Sequence, residues 1–70
     1  MVSLQDENQR KKLGEKMKKA RLELGLTQAE VAKKAGIHVN YYARVERGEE
    51  NPTFDRLGKI FVVLKIKSLL

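Results

Sequence analysis

Apolar residues recur at helical spacing in several stretches of the chain, which predicts an all-α protein. In the first stretch, about residues 9–24, one helical face carries Leu13, Met17, Ala20 and Leu24. In the last stretch, about residues 54–64, the inward face is formed by Leu57, Ile60, Phe61 and Leu64. These apolar stripes predict one long first helix and one shorter last helix.

Two short helices joined by a tight turn are predicted between them. Thr27 is typical of a helix N-cap, and Glu30 three residues later completes the capping-box pattern. Gly36 is suited to the left-handed conformation that ends a helix. The next helix is predicted over residues 38–47, with Gly48 as its stop signal.

The second of these short helices has two different sides. Its apolar side is formed by Tyr42 and Val45. Its other side carries Val39, Asn40, Tyr41, Ala43, Arg44 and Arg47. That side has few apolar groups to bury and several polar groups that could contact a partner. Two capped helices around an Ala-Gly turn suit a helix-turn-helix, in which the second helix enters the major groove of DNA.

A longer motif extends this pattern: Leu-Thr-Gln-x-x-Val-Ala is followed by Ala-Gly-Ile and then by Glu-Arg-Gly-x-x-x-Pro. The chain resembles the lambda-repressor and Cro-like (Xre) family of helix-turn-helix domains over about residues 13–64. The matching residues are Arg21, Gly25, Leu26, Thr27, Gln28, Val31, Ala32, Ala35, Gly36, Ile37, Val45, Glu46, Arg47, Gly48, Asn51, Pro52, Leu57 and Ile60. The resemblance implies a compact domain of four to five helices, with the second short helix as the recognition helix.

The resemblance also implies which side chains contact bases: Val39, Asn40, Tyr41, Ala43 and Arg44. By their chemistry, Asn40 can bond an adenine edge and Arg44 can bond the two acceptors of guanine. Val39 has no polar group, so it can only touch a thymine methyl, and this departs from relatives with a polar side chain at that position. Tyr41 can reach a phosphate or pack over the groove wall.

Other positions are expected to contact phosphates: Gln28, His38, Arg47, Asn51 and Thr53. Gln28 lies at a helix start, where backbone amides and the helix dipole favour an anion. Glu49 and Glu50 in the following loop are expected to weaken DNA affinity or to discourage nonspecific binding.

Arg21 and Glu46 are expected to be structural partners, because family members pair an arginine at this spacing with the glutamate of Glu-Arg-Gly. The planar guanidinium and the carboxylate can pair through two bonds.

Composition limits the alternatives. The chain of 70 residues has room for one domain, and 15 Lys and Arg against nine Asp and Glu give a formal charge of +6. A basic surface attracts polyanions, although many small proteins are basic only for solubility. There is no Cys, no apolar run that approaches a membrane span, and residues 1–12 are too polar for a signal peptide. We therefore expect a soluble cytoplasmic protein.

Residues 1–8 are predicted to be a partly disordered N-terminal arm, and residues 9–70 to form the domain. We expect no cofactor and no small-molecule ligand. A metal site is not expected either, because His38 is the only histidine and such a site needs three or four ligands.

A homodimer is expected from the apolar residues near the C-terminus. The predicted dimer interface is formed by Phe61, Val62, Val63, Ile66, Leu69 and Leu70. The alternative is that these residues complete the monomer core. Residues 65–70 are expected to form a short fifth helix or the remnant of one, with Ser68 as its cap.

The sequence thus favours a sequence-specific DNA-binding transcriptional regulator that binds a palindromic operator as a homodimer. The alternative is a protein-interaction module of the same fold, antitoxin-like or coactivator-like. An enzyme is not expected, since the chain has no Cys, no His-acid constellation and no phosphate-binding glycine loop. RNA binding is less favoured, because no aromatic stacking platform is evident.

Overall fold

Four α-helices account for most of residues 6–67, the part of the chain that the computed structural model describes. They are α1 (Glu7–Glu23), α2 (Gln28–Ala35), α3 (Val39–Glu46) and α4 (Phe54–Leu64). The described residues contain no strand, which confirms the all-α prediction. None of these helices is both long and apolar enough to cross a bilayer.

The N-terminal helix begins earlier than its apolar stripe indicates. Asp6 is the N-cap of α1, and its carboxylate accepts a hydrogen bond from the N–H of Asn8 at 2.7 Å. Residues 7 and 8, assigned to the arm from the sequence, are therefore the first turn of α1. Residues 1–5 of the predicted arm lie outside the described residues.

Only three residues beyond α4 are described, so the predicted fifth helix is covered only in part. Helix α4 ends at Leu64, and Lys65 adopts a left-handed conformation with φ of 59°. Residues 66 and 67 are not helical, so no fifth helix begins before residue 68. Ser68, Leu69 and Leu70 lie outside the described residues.

The core is a single cluster to which every helix contributes. Its buried apolar residues are Leu13, Met17, Val31, Ala32, Ala35, Tyr42, Val45, Leu57, Ile60, Phe61 and Leu64. The predicted inward stripe of α4 is confirmed in full. The stripe of α1 is confirmed except at Leu24, which is exposed because it follows the last helical residue.

Gly14 is the point where α1 lies closest to α3. A Cβ atom at this position would overlap the carbonyl oxygen of Glu46 and would also lie 3.0 Å from that of Val45. The backbones of the two helices therefore touch without an intervening side chain. This contact brings the C-terminal end of α3 against the middle of α1.

Replacing Gly14 by Ala is expected to destabilise the protein by about 1–3 kcal/mol, because rigid backbone groups have to move. Gly58 in α4 is the matched control, since a Cβ there meets no atom within 4 Å. Gly58→Ala is expected to stabilise by up to about 1 kcal/mol through its higher helix propensity. Denaturant unfolding of both variants measures the difference, and equal stabilisation of the two would contradict the close approach of α1 and α3.

Candidate nucleic-acid interface

Helix α3 presents one side to the core and the other to solvent. Tyr42, Val45 and Glu46 are buried, whereas Val39, Asn40 and Arg44 are exposed. The two remaining candidates for base contact, Tyr41 and Ala43, are half-buried. The side chains with hydrogen-bonding groups that can read base edges, Asn40 and Arg44, thus lie on the outer surface.

The turn before α3 sets where this helix begins. Gly36 ends α2 with φ of 71°, and the N–H of Ile37 donates to the carbonyl of Ala32 at 3.0 Å. His38 is the N-cap of α3, and its Nδ1 accepts from the N–H of Asn40 at 3.1 Å. His38 is itself exposed.

Two other helix starts carry candidate phosphate contacts. The predicted capping box at α2 is confirmed: Thr27 Oγ1 accepts from the N–H of Glu30, and Glu30 Oε1 accepts from that of Thr27. At α4, the hydroxyl of Thr53 accepts from the N–H of Arg56 at 3.2 Å. Asn51 and Thr53 are both exposed.

A buried cluster centred on Glu46 lies behind the exposed side of α3. Arg21 donates from Nε to Glu46 Oε2 at 2.6 Å and from Nη2 to Glu46 Oε1 at 3.1 Å. Its Nη1 donates to the carbonyl of Leu26 at 3.0 Å. Arg21 and Glu46 are only 8% and 7% exposed. The predicted partners are therefore side by side, and their pairing joins α1 to the end of α3.

Gln28 belongs to the same cluster, which sequence reasoning missed. Its side-chain N–H donates to Glu46 Oε1 at 3.0 Å, and the residue is half-buried. Gln28 thus links the start of α2 to the end of α3. A phosphate contact from this amide would have to use its other hydrogen.

The environment of Glu46 keeps it charged. Burial raises the pKa of Glu46, but the hydrogen bonds from Arg21 and Gln28, together with the nearby Tyr42 hydroxyl, lower it by more, so the net shift is downward. Burial also raises the pKa of Tyr42, whose buried hydroxyl has no hydrogen-bond partner among residues 6–67.

Two acids of the loop after α3 pair with nearby arginines, one in α3 and one at its C-cap. Arg44 Nε donates to Glu50 Oε2 at 2.9 Å, and Arg47 Nη2 lies 3.1 Å from Glu49 Oε1. The bond from Arg47 lowers the pKa of Glu49. The sequence alone predicts only that these acids are unfavourable charges near DNA. Their pairing depends on the path of the loop, for which the sequence has no direct signal.

Tyr41 has a partner on α4. The guanidinium of Arg56 stacks over its ring, with 4.8 Å between the guanidinium carbon and the ring centroid. This contact joins residues 15 positions apart, and no motif in the sequence indicated it. It holds the Tyr41 ring at the side of α3 that faces α4.

The predicted dimer interface is divided by the structure. Phe61 is 9% exposed and lies in the monomer core, so its assignment to the interface was wrong: helical spacing places it beside Leu57 and Leu64. Val63 and Ile66 are half-buried against the same core. Val62 is 80% exposed. Leu69 and Leu70 lie outside the described residues.

Comparison with known families gives a match. A family model described as helix-turn-helix matches residues 17–69, from the middle of α1 through α4. The match covers well over half of the chain. Comparisons with curated proteins and with solved structures found no significant match.

Glu46→Gln is expected to destabilise the protein by about 3–5 kcal/mol at neutral pH, because it leaves the buried Arg21 without a counter-charge. The pKa of Glu46 is lower than its ordinary value of 4.5, so its stabilising contribution is fully present above about pH 4.5. This contribution is lost as the pH falls through the lowered pKa.

Unfolding experiments from pH 7 to pH 3 test this expectation. The stability difference between the wild type and Glu46→Gln should shrink as the pH falls below about 4.5. Glu23→Gln, the same change at an exposed position of α1, is the control and should change stability by less than about 0.5 kcal/mol. A difference that stayed constant over this range would show that the charge of Glu46 is unimportant.

Proposed function

Because this chain belongs to the lambda-repressor and Cro-like (Xre) family of helix-turn-helix DNA-binding regulators, we propose that it binds a palindromic operator as a homodimer, with α3 in the major groove. The observation that carries this proposal is the division of α3 into two sides. Its buried side is tied to the core and to Arg21, while Asn40 and Arg44 are exposed. A helix held in this way can enter a groove without rearrangement of the domain.

The polar groups on the exposed side suit specific bases. Asn40 can accept from and donate to the adenine edge, and Arg44 can donate to guanine O6 and N7. Val39 is exposed and can touch a thymine methyl. Ala43 offers only a methyl group, and Tyr41 is held beside Arg56, so we assign them to the contact surface rather than to hydrogen-bonded reading.

Phosphate contacts would position α3 in the groove. The candidates lie at helix starts or beside α3: Gln28, His38, Arg47, Asn51 and Thr53. Helix N-termini attract phosphates through their free N–H groups and their dipole. These contacts contribute affinity for any duplex and no sequence preference.

Support for a dimer comes from α4. Val62 is a large apolar side chain that the monomer leaves 80% exposed, and the half-buried Val63 lies next to it. A two-fold axis near this part of α4 would place two copies of α3 on half-sites about one helical turn, roughly 34 Å, apart.

Selection of bound duplexes from a random library tests sequence reading. The wild type should yield a palindromic consensus, and Arg44→Ala should lose preference at one base pair in each half-site, worth about 1–3 kcal/mol of discrimination. Lys19→Ala removes the same charge from an exposed position of α1 and should keep the full consensus. No consensus for the wild type, or an unchanged one for Arg44→Ala, would contradict the proposal.

Salt dependence tests the phosphate contacts. Arg47→Ala should weaken binding to all duplexes by a similar factor, and should reduce the slope of log affinity against log salt by about 0.9 if one phosphate contact is lost. Lys19→Ala again serves as the charge-matched control. If Arg47→Ala had the wild-type slope, the proposed phosphate contact of Arg47 would be contradicted.

A further inference from the structure

The ion pair between Arg44 and Glu50 uses a particular donor of the guanidinium. The bond runs from Arg44 Nε to Glu50 Oε2 at 2.9 Å. The Arg44 side chain is 44% exposed and the Glu50 side chain 33%. Nη1 and Nη2 of Arg44 form no hydrogen bond that the structure records between residues 6 and 67. The pair of terminal donors thus remains available to a ligand.

The backbone of the loop fixes where Glu50 lies. Gly48 has φ of 77°, and its N–H donates to the carbonyl of Val45 at 3.1 Å. The N–H of Glu49 then donates to the carbonyl of Arg44 at 2.9 Å, which completes a Schellman motif. Arg10 Nε on α1 donates to the carbonyl of Gly48 at 3.3 Å. The backbone of Glu49 is thus bonded to Arg44, and the side chain of the next residue, Glu50, contacts the same arginine.

Gly48 is required for this path. Its positive φ is unfavourable for other residues, and a Cβ here would lie 2.7 Å from a side-chain carbon of Lys11 and 2.9 Å from the Lys11 backbone. The turn that carries Glu50 is consequently packed on α1.

We propose that Glu50 is a positioning residue for the reading of guanine: by accepting from Nε, it orients Arg44 so that Nη1 and Nη2 together face guanine O6 and N7. This inference rests on the proposed function, in which Arg44 contacts a base. A guanidinium donates in a fixed planar geometry, so a bond at Nε constrains the direction of both terminal groups. Ordering the long side chain before binding also lowers the entropy lost on contact with DNA.

The neighbouring pair provides a contrast within the same loop. Arg47 meets Glu49 through Nη2, one of its terminal donors, and both side chains are 55% exposed. Glu49 thus occupies one of the terminal nitrogen atoms through which Arg47 would contact a ligand. Glu49 is therefore the matched control, because it carries the same charge in the adjacent position without orienting Arg44.

A purely electrostatic role of Glu50 has a different consequence. A carboxylate near DNA repels every phosphate regardless of sequence, so its removal would raise affinity for all duplexes alike. Positioning instead affects the ratio between the operator and a duplex altered at the base pair that Arg44 reads. The ratio and the overall affinity thus separate the two roles.

The experiment compares Glu50→Ala, Glu50→Gln and Glu49→Ala by titration of two duplexes. One duplex carries the selected consensus, and the other carries a substitution at the base pair whose preference Arg44→Ala loses. Glu50→Ala should lower the affinity ratio by about 5-fold or more, within the range set by a bidentate arginine-guanine contact. Glu50→Gln keeps an acceptor oxygen for Nε and should retain the larger part of the ratio. Glu49→Ala should leave the ratio unchanged.

A second comparison shows whether the effect passes through Arg44. In an Arg44→Ala background, Glu50→Ala should cause no further change in the ratio. An unchanged ratio in Glu50→Ala, or equal losses in Glu50→Ala and Glu49→Ala, would overturn the positioning role while the proposed function stands. A wild type that binds both duplexes equally would overturn the proposed function, and the inference with it.

Discussion

The buried pair of Arg21 and Glu46 is the interaction on which the arrangement of the helices depends. Two hydrogen bonds join the guanidinium to the carboxylate, a third joins it to the carbonyl of Leu26, and Gln28 adds a bond to Glu46. These contacts connect α1, the start of α2 and the end of α3. Because the two buried charges compensate each other, removal of one would leave the other buried without a counter-charge, which is strongly destabilising. The cluster thus fixes one end of α3.

Close backbone packing complements this electrostatic tie. Gly14 lets α1 lie directly against the carbonyl groups of Val45 and Glu46, next to the ion pair. The other two buried residues of α3, Tyr42 and Val45, pack in the apolar core. The inner side of α3 is held by an ion pair, a backbone contact and apolar packing, and Asn40 and Arg44 are exposed on its outer side. For the proposed reading of DNA, such support reduces the ordering required on binding.

The loop after α3 is part of the candidate interface and not only a connection to α4. Gly48 closes the turn and packs on Lys11, while Glu50 contacts Arg44 of α3 and Glu49 contacts Arg47, the residue that follows α3. The formal charge of +6 therefore does not indicate which donor groups of the arginines on this surface are already paired with acids. Two of them meet acids in the folded chain, and they do so through different nitrogen atoms.

The amino-acid sequence by itself determined the approximate positions of the four helices, the cap at Thr27, and the exposure of Asn40 and Arg44, because capping and helical periodicity act over a few neighbouring residues. The partnership of Arg21 with Glu46 was accessible only through the family motif. Tertiary structure alone decided that Arg56 stacks on Tyr41 and that Glu50 contacts Arg44. Those contacts depend on how helices and loops lie relative to one another, and this packing is set by the whole core rather than by any local pattern.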